Sequence, residues 1–248
     1  MKFNTTKCKV MHVGKSNQRF QYMTDDQILE STVQEKDLGV IVTDSLKVAG
    51  SCHAAYTKAN RVLSMMRRKI SLKTPEVLLP LYRSLVRPRA EYCVLAWSPH
   101  YNKDKVMLEK IQHRFTRMVH GLKQKDYATR LDILNLRTLE ERRNRADLIE
   151  MFKMFKGRSG IAGDVLFERV SDTRTRGHSL KLKKQYCSKD LRKFFFSERV
   201  ISRWNALDEE TVSVTTVNSF KNKMQRIRLL QMSFYTDPWC PTSSKASS

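Results

Sequence analysis

Apolar and polar positions alternate with a period of two over the first part of the chain, then repeat near 3.6 over most of the rest. Lys9 to Val13 alternates up to Gly14 and predicts a half-buried strand over Val10–Val13. Arg19–Tyr22 and Gln27–Leu29 flank the polar cluster Thr24-Asp25-Asp26, which reads as a turn. In EKDLGVIVT, Leu38, Val40 and Val42 are expected on one face, with Gly39 leaving room for another backbone to come close. Residues 1–45 are therefore read as β structure.

From Leu46 onward the period is helical. Ala49–Ile70 carries Ala55, Ala59, Val62, Leu63, Met66 and Ile70 on one side, with Arg67, Arg68 and Lys69 in its last turn, where cations also complement the helix dipole. Thr74 and Pro75 form a helix start. Pro80 and Pro88 interrupt the stripe that follows and predict a kink or two shorter pieces. The apolar run Glu91–Trp97 is expected to be buried. A helix over Asn102–Gly121 is capped by Asn102 or Asp104 and stopped by Gly121, with Leu108, Ile111, Phe115, Met118 and Leu122 inward. Another is predicted over Tyr127–Leu134. Thr138 and Glu141 have capping-box spacing and open a helix to Gly157, its stripe Leu139, Ala146, Ile149, Phe152 and Phe155, with Arg142, Arg143, Arg145 and Lys153 pointing elsewhere. Residues 158–190 read as a flexible basic linker, 191–232 as a helical tail with helices over Leu191–Leu207 and Thr216–Gln231, and 233–248 as a disordered end. The fold expected is mainly α with a small N-terminal antiparallel β part.

Composition changes this picture little. With 248 residues, 40% of them hydrophobic, the chain has enough apolar material for a core without staples. The five cysteines are dispersed, with no CxxC pair, and read as buried thiols in a reducing compartment; the location expected is intracellular, nuclear and cytoplasmic. No apolar run approaches a membrane span, and the first residues lack a signal-peptide core.

Charge changes it a great deal. Lys plus Arg total 47 against 25 acidic residues, a net charge of +22. No fold requires such an excess, and it suits a polyanionic partner: nucleic acid first, an anionic membrane surface second. Candidate phosphate contacts are Arg67, Arg68 and Lys69; Arg114 and Arg117; Arg142, Arg143 and Arg145; and Arg174, Arg176, Lys181, Lys183 and Lys184. Most aromatics lie on apolar stripes and read as core. Tyr127 and Tyr186 lie outside strong stripes and are the candidates for base stacking.

Catalytic signals are missing from the pattern. The histidines are scattered, with His113 and His120 seven residues apart, too far for one metal ion without other ligands. Asp25-Asp26 is a carboxylate pair of a kind that holds magnesium, but it sits among turn formers and reads as a solvated turn. No metal site and no cofactor are assigned, and no small-molecule substrate is indicated.

The blocks FNTTKCKVMHVG, EKDLGVIVTDSLK, LPLYRSLVRPRAEYCVLAW, LEKIQHRFTRMVHGL, RLDILNLRTLEERRNRADLI and FFSERVISRWNAL, in this order, resemble the C-terminal part of LINE-type, jockey-like non-LTR retrotransposon reverse transcriptases over about residues 1–230. The resemblance implies the end of the palm over 1–45, a helical thumb over 46–157 and the family's tail beyond. It also implies a polymerase truncated from its front, since the metal aspartates precede the stretch that Phe3–Gly14 matches. Tyr22-Met23-Thr24-Asp25-Asp26 imitates their motif but follows the N-x-x-K-C block, so their role is not carried onto it; magnesium belongs to the full-length enzyme. Lys7 matches the lysine thought to protonate the leaving pyrophosphate. Glu35, Lys36, Asp37, Leu38, Gly39 and Val40 match the hairpin that grips the primer end. Asp208 stands where the family has proline after W-N-x-L. The partner implied is an RNA, DNA or RNA–DNA duplex, together with the missing polymerase portion. A second reading keeps only the binding: a stand-alone nucleic-acid or protein interaction module with no polymerase role.

Overall fold

The computed structural model describes residues 4–14, 16–24, 26–170, 177–231 and 233–237. It is mainly helical, with a few short strands in small sheets near the N-terminus. Strand β1 (Lys9–Val10) pairs in parallel with β4 (Glu30–Ser31), and β2 (Met23–Thr24) pairs antiparallel with β3 (Gln27–Ile28) across the predicted polar turn. The strand expected over Val10–Val13 is thus only two residues long. The best-formed pair is the hairpin β5 (Gln34–Asp37) and β6 (Val40–Thr43). Ser51 covers the open edge of β6: its hydroxyl donates to the Ile41 carbonyl at 3.0 Å and accepts from the Ile41 N–H at 3.1 Å.

The first core is built on α1 (Ala49–Lys69) and the proline-containing segment after it. That segment is α2 (Pro75–Leu81), a π turn over Tyr82–Val86, and α3 (Arg87–Glu91). Pro80 and Pro88 each remove a backbone donor, and the π turn between them absorbs the mismatch without breaking the rod. Tyr82 is fully buried there, its ring stacked on Phe115 at 4.0 Å between centroids and its hydroxyl donating to Gln112. Short α4 (Val94–Trp97) follows; Val94 and Trp97 are the buried residues of the run over Glu91–Trp97 and Tyr92, Cys93 and Ala96 are exposed, against the expectation that the run is buried. Then come α5 (Asn102–Met118) and α6 (Tyr127–Ile133). Tyr101, not Asn102 or Asp104, stands at the cap of α5, and Asp104 is buried. Cys52 lies in this core, where burial and then the nearby Asp104 push its thiol up to about 12 and keep it unreactive.

Helix α7 (Leu139–Phe155) begins in the first core at Leu139 and ends in a second at Leu148, Met151 and Phe152. Thr138 caps it by accepting from the Glu141 N–H. The second core takes in α8 (Gly163–Leu166), α10 (Phe196–Arg199), α11 (Ile201–Asn205), α12 (Glu209–Ser213) and α13 (Val217–Leu230) around Trp204, Phe220 and Met224, while the short α9 (Asp190–Lys193) buries no residue. The helix expected over Leu191–Leu207 is three short pieces, because Phe195 takes an extended conformation at the N-cap of α10. Asp208 caps α12 by accepting from the Thr211 N–H.

Two further expectations are corrected. The described part of the 158–190 linker is docked: His178 bonds the Trp204 carbonyl at 2.9 Å, and Leu182 exchanges two backbone hydrogen bonds with the Asn205 side chain. The described start of the 233–248 end is docked too. Tyr235 is fully buried and donates to the Met224 carbonyl, while Asp237 pairs with Lys105 and Arg203.

Candidate nucleic-acid interface

Helices α1 and α5 lie side by side and run in the same sense, with Cys52 near Asp104 and Asn60 near Arg114. Their apolar stripes face the core, Ala55, Ala59, Leu63 and Met66 from α1 and Leu108, Ile111 and Phe115 from α5. Polar positions on the opposite sides are therefore left at the surface. Where the outer faces meet, a groove of about 480 Å³ opens, lined by Asn60, Leu63, Ser64, Arg67, Lys73, Arg114, Arg117, Met118 and Lys123. Five of these are cations and none is acidic. None of the five makes an ion pair among the described residues. Arg114 is held in place by Asn60, to which it donates at 2.7 Å, and by the Tyr56 ring 5.8 Å away. The His120 N–H donates to the Lys73 carbonyl at 2.8 Å, which ties the two rim loops together. Burial, then Arg130 and Arg117, hold the His113 imidazole below its ordinary range.

The structure thus brings Arg67, Arg114 and Arg117 together. It adds Lys73 and Lys123, which the sequence reading passed over because loop cations carry no periodic signal. Arg68 and Lys69 are exposed at the end of α1, beside Arg67. Arg142, Arg143 and Arg145 do not join this face. Arg142 pairs with Glu91, its Nη2 donating at 2.8 Å; Arg143 is 3% exposed; Arg145 donates to the Lys221 carbonyl at 3.0 Å. The reason is α7 itself. Both cores pack on it, so the face opposite its apolar stripe is also covered. Lys181, Lys183 and Lys184 lie in the second lobe, Lys183 paired with Glu168 and Lys184 bonded to Ser202, away from the groove. Arg174 and Arg176 lie outside the described residues, as does Asp25.

Of the residues matched to a primer-gripping hairpin, Glu35, Lys36 and Asp37 lie on exposed β5 and Val40 opens β6. Leu38 and Gly39 form the two-residue turn with φ of +44° and +89°. Positive φ at both central residues is what a tight hairpin with right-twisted strands needs. Leu38 is 82% exposed at the tip and shares no face with Val40 and Val42, a correction to the alternation read from sequence. The Tyr92 hydroxyl donates to the Leu38 carbonyl at 2.8 Å, and a Cβ on Gly39 would lie 3.0 Å from the Tyr92 ring. The close approach at Gly39 is therefore made by this side chain. Lys9 reaches Glu35 at 3.1 Å. Lys7 is exposed at the end of the 3-10 turn Thr5–Lys7.

Tyr127 is removed from the stacking candidates. It stacks on His113 with 3.5 Å between centroids, and its hydroxyl is bonded to Glu109 and Gln112. Tyr186 is 96% exposed. Asp26 is exposed in the β2–β3 turn, and among the described residues no group of three His, Cys, Asp or Glu is placed to hold a metal ion. No described helix is long and apolar enough to cross a membrane. Comparison of the chain with protein-family models, with curated proteins and with solved structures gives no match.

Proposed function

We propose that the chain is the C-terminal part of a LINE-type, jockey-like reverse transcriptase and that it grips a template–primer duplex through its phosphates, without sequence preference. In this reading the strands up to residue 45 are the end of the palm, α1 to α7 are the thumb, and the second lobe is the family's tail. The order of the six sequence blocks supports the assignment, and the β5–β6 hairpin gives the primer-grip match a suitable shape. The observation that carries the binding is the α1–α5 groove, whose five cations make no ion pair among the described residues and whose lining holds no acid. On α5, Lys110, Arg114 and Arg117 span seven residues, or about 10 Å of helix at 1.5 Å per residue. One strand of a duplex presents about three phosphates over that length. Such contacts fix position and carry no base information. Chemistry would be supplied by metal-binding aspartates outside this chain, so the chain alone is expected to extend no primer. Its place of action is nuclear or cytoplasmic.

The test is a charge-removal pair. Arg67→Ala with Arg117→Ala should weaken binding of RNA–DNA hybrids of unrelated sequence by the same factor and flatten the salt dependence by roughly 0.9 per lost contact. Arg226→Ala, an exposed cation on α13, should change neither. Equal losses from both variants would mean diffuse charge and would overturn the groove.

A further inference from the structure

The duplex groove leaves the second lobe's basic surface without a role. Between Lys183 and Lys193 the chain carries five cations, Lys183, Lys184, Lys189, Arg192 and Lys193, against the single acid Asp190. The segment is pinned at both ends. Leu182 is held by the Asn205 side chain, at 2.9 Å through its N–H and 2.7 Å through its carbonyl, and Arg192 of α9 reaches the buried Glu198 at 3.5 Å. Between these anchors residues 183–187 have no regular structure. Tyr186 stands at the middle of this arch, 96% exposed, with no ring partner and no side-chain hydrogen bond among the described residues.

Cations on both sides of an unpartnered aromatic ring are the two elements that hold a single strand: charge tracks the backbone, and the ring takes the face of a base. A duplex cannot use the ring, because its base faces are already stacked on one another. Arg192 is committed to the buried Glu198 at 3.5 Å and Lys184 donates to Ser202 at 2.6 Å, which leaves Lys189, Lys193 and the weakly paired Lys183 to meet a phosphate backbone. Lys183 meets Glu168 at 2.9 Å, but both side chains are more than half exposed, and exposed pairs of this kind are weak and screened by salt. We infer that residues 183–193 form a second nucleic-acid site, specific for single strands, with Tyr186 as its stacking platform. It is separate from the α1–α5 groove and does not depend on the polymerase assignment.

The probes are fluorescein-labelled oligo(U) and oligo(dT) of about 12 nucleotides, within the site sizes of single-strand binders, titrated into the full chain by anisotropy. Tyr186→Ala should lower affinity for one or both by on the order of tenfold, the size of one lost stacking contact. Tyr186→Phe and Tyr186→Trp should restore it, and duplex binding should stay unchanged. Lys189→Ala should reduce the salt slope for the single strand. Loss of binding by oligo(U) alone would assign the site to RNA. Since Tyr186 touches no core residue, Tyr186→Ala leaves the fold intact and unchanged affinity would overturn the inference. So would Tyr186→Phe behaving like Tyr186→Ala, which would make the hydroxyl, and not the ring, the contact. The groove variant Arg67→Ala/Arg117→Ala should keep Tyr186-dependent binding, so either site can fail without the other.

Discussion

At the scale of single residues, position in the packing decides what a charge does. Arg114 and Arg142 are both arginines on the polar side of an amphipathic helix. One is exposed in a basic groove and the other is locked to Glu91. The most enclosed pair is Asp147 with Arg199, joined by two hydrogen bonds of 2.8 and 2.9 Å, with Arg199 also donating to the Leu95 carbonyl at 2.9 Å. Their side chains are only 3% and 12% exposed. Removing one partner leaves the other charge buried, which costs roughly 3–5 kcal/mol. Asp147→Ala is therefore expected to lower the denaturant midpoint by a corresponding amount while duplex affinity of the folded protein is kept. A loss below about 1 kcal/mol, the range of exposed pairs, would show that the pair is solvated. None of this was legible in the sequence, where Arg142, Arg143 and Arg145 look as available as Arg114 and Arg117. Periodicity shows one covered face of a helix and is silent about a second.

At the scale of elements, the long amphipathic helices and the short α6, expected over Tyr127–Leu134, were legible, and the short helices over Leu191–Leu207 were not. The segment read as a helix over Ala49–Ile70 is α1 to within a residue, Thr74 and Thr138 stand at the caps where they were placed, and the helix read from Thr216 begins one residue later with Thr216 as its cap. Leu191–Leu207 misled because its apolar residues serve three short helices turned different ways, a tertiary choice with no local signal. The packing of His178 and Leu182 against α11, and of Tyr235 against α13, is equally non-local. The β5–β6 hairpin offers the sharpest test at this level. An alanine at Gly39 would hold φ near +89° and press its Cβ toward the Tyr92 ring. The left-handed conformation alone costs an L-residue about 1–2 kcal/mol. Gly39→Ala should speed hydrogen exchange of the β5–β6 amides several-fold while α1 and α5 stay protected. Unchanged exchange in the hairpin would mean that the turn is not held in this conformation.

At the scale of the whole molecule, the enclosed acids are matched by enclosed cations, so burial takes little of the net charge off the surface. Glu91, Glu140, Glu141, Asp147 and Asp237 all serve pairs in which the side chains are less than about a third exposed. The net charge of +22 is therefore concentrated at the surface. Net charge alone does not give the number of phosphates engaged, but the salt dependence of binding does. Each neutralised phosphate contributes about −0.9 to the slope of log affinity against log salt on B-form DNA. With the five groove cations engaged, duplex binding by the intact chain should follow a slope of about −4.5. A flat response would contradict phosphate contact as the basis of binding.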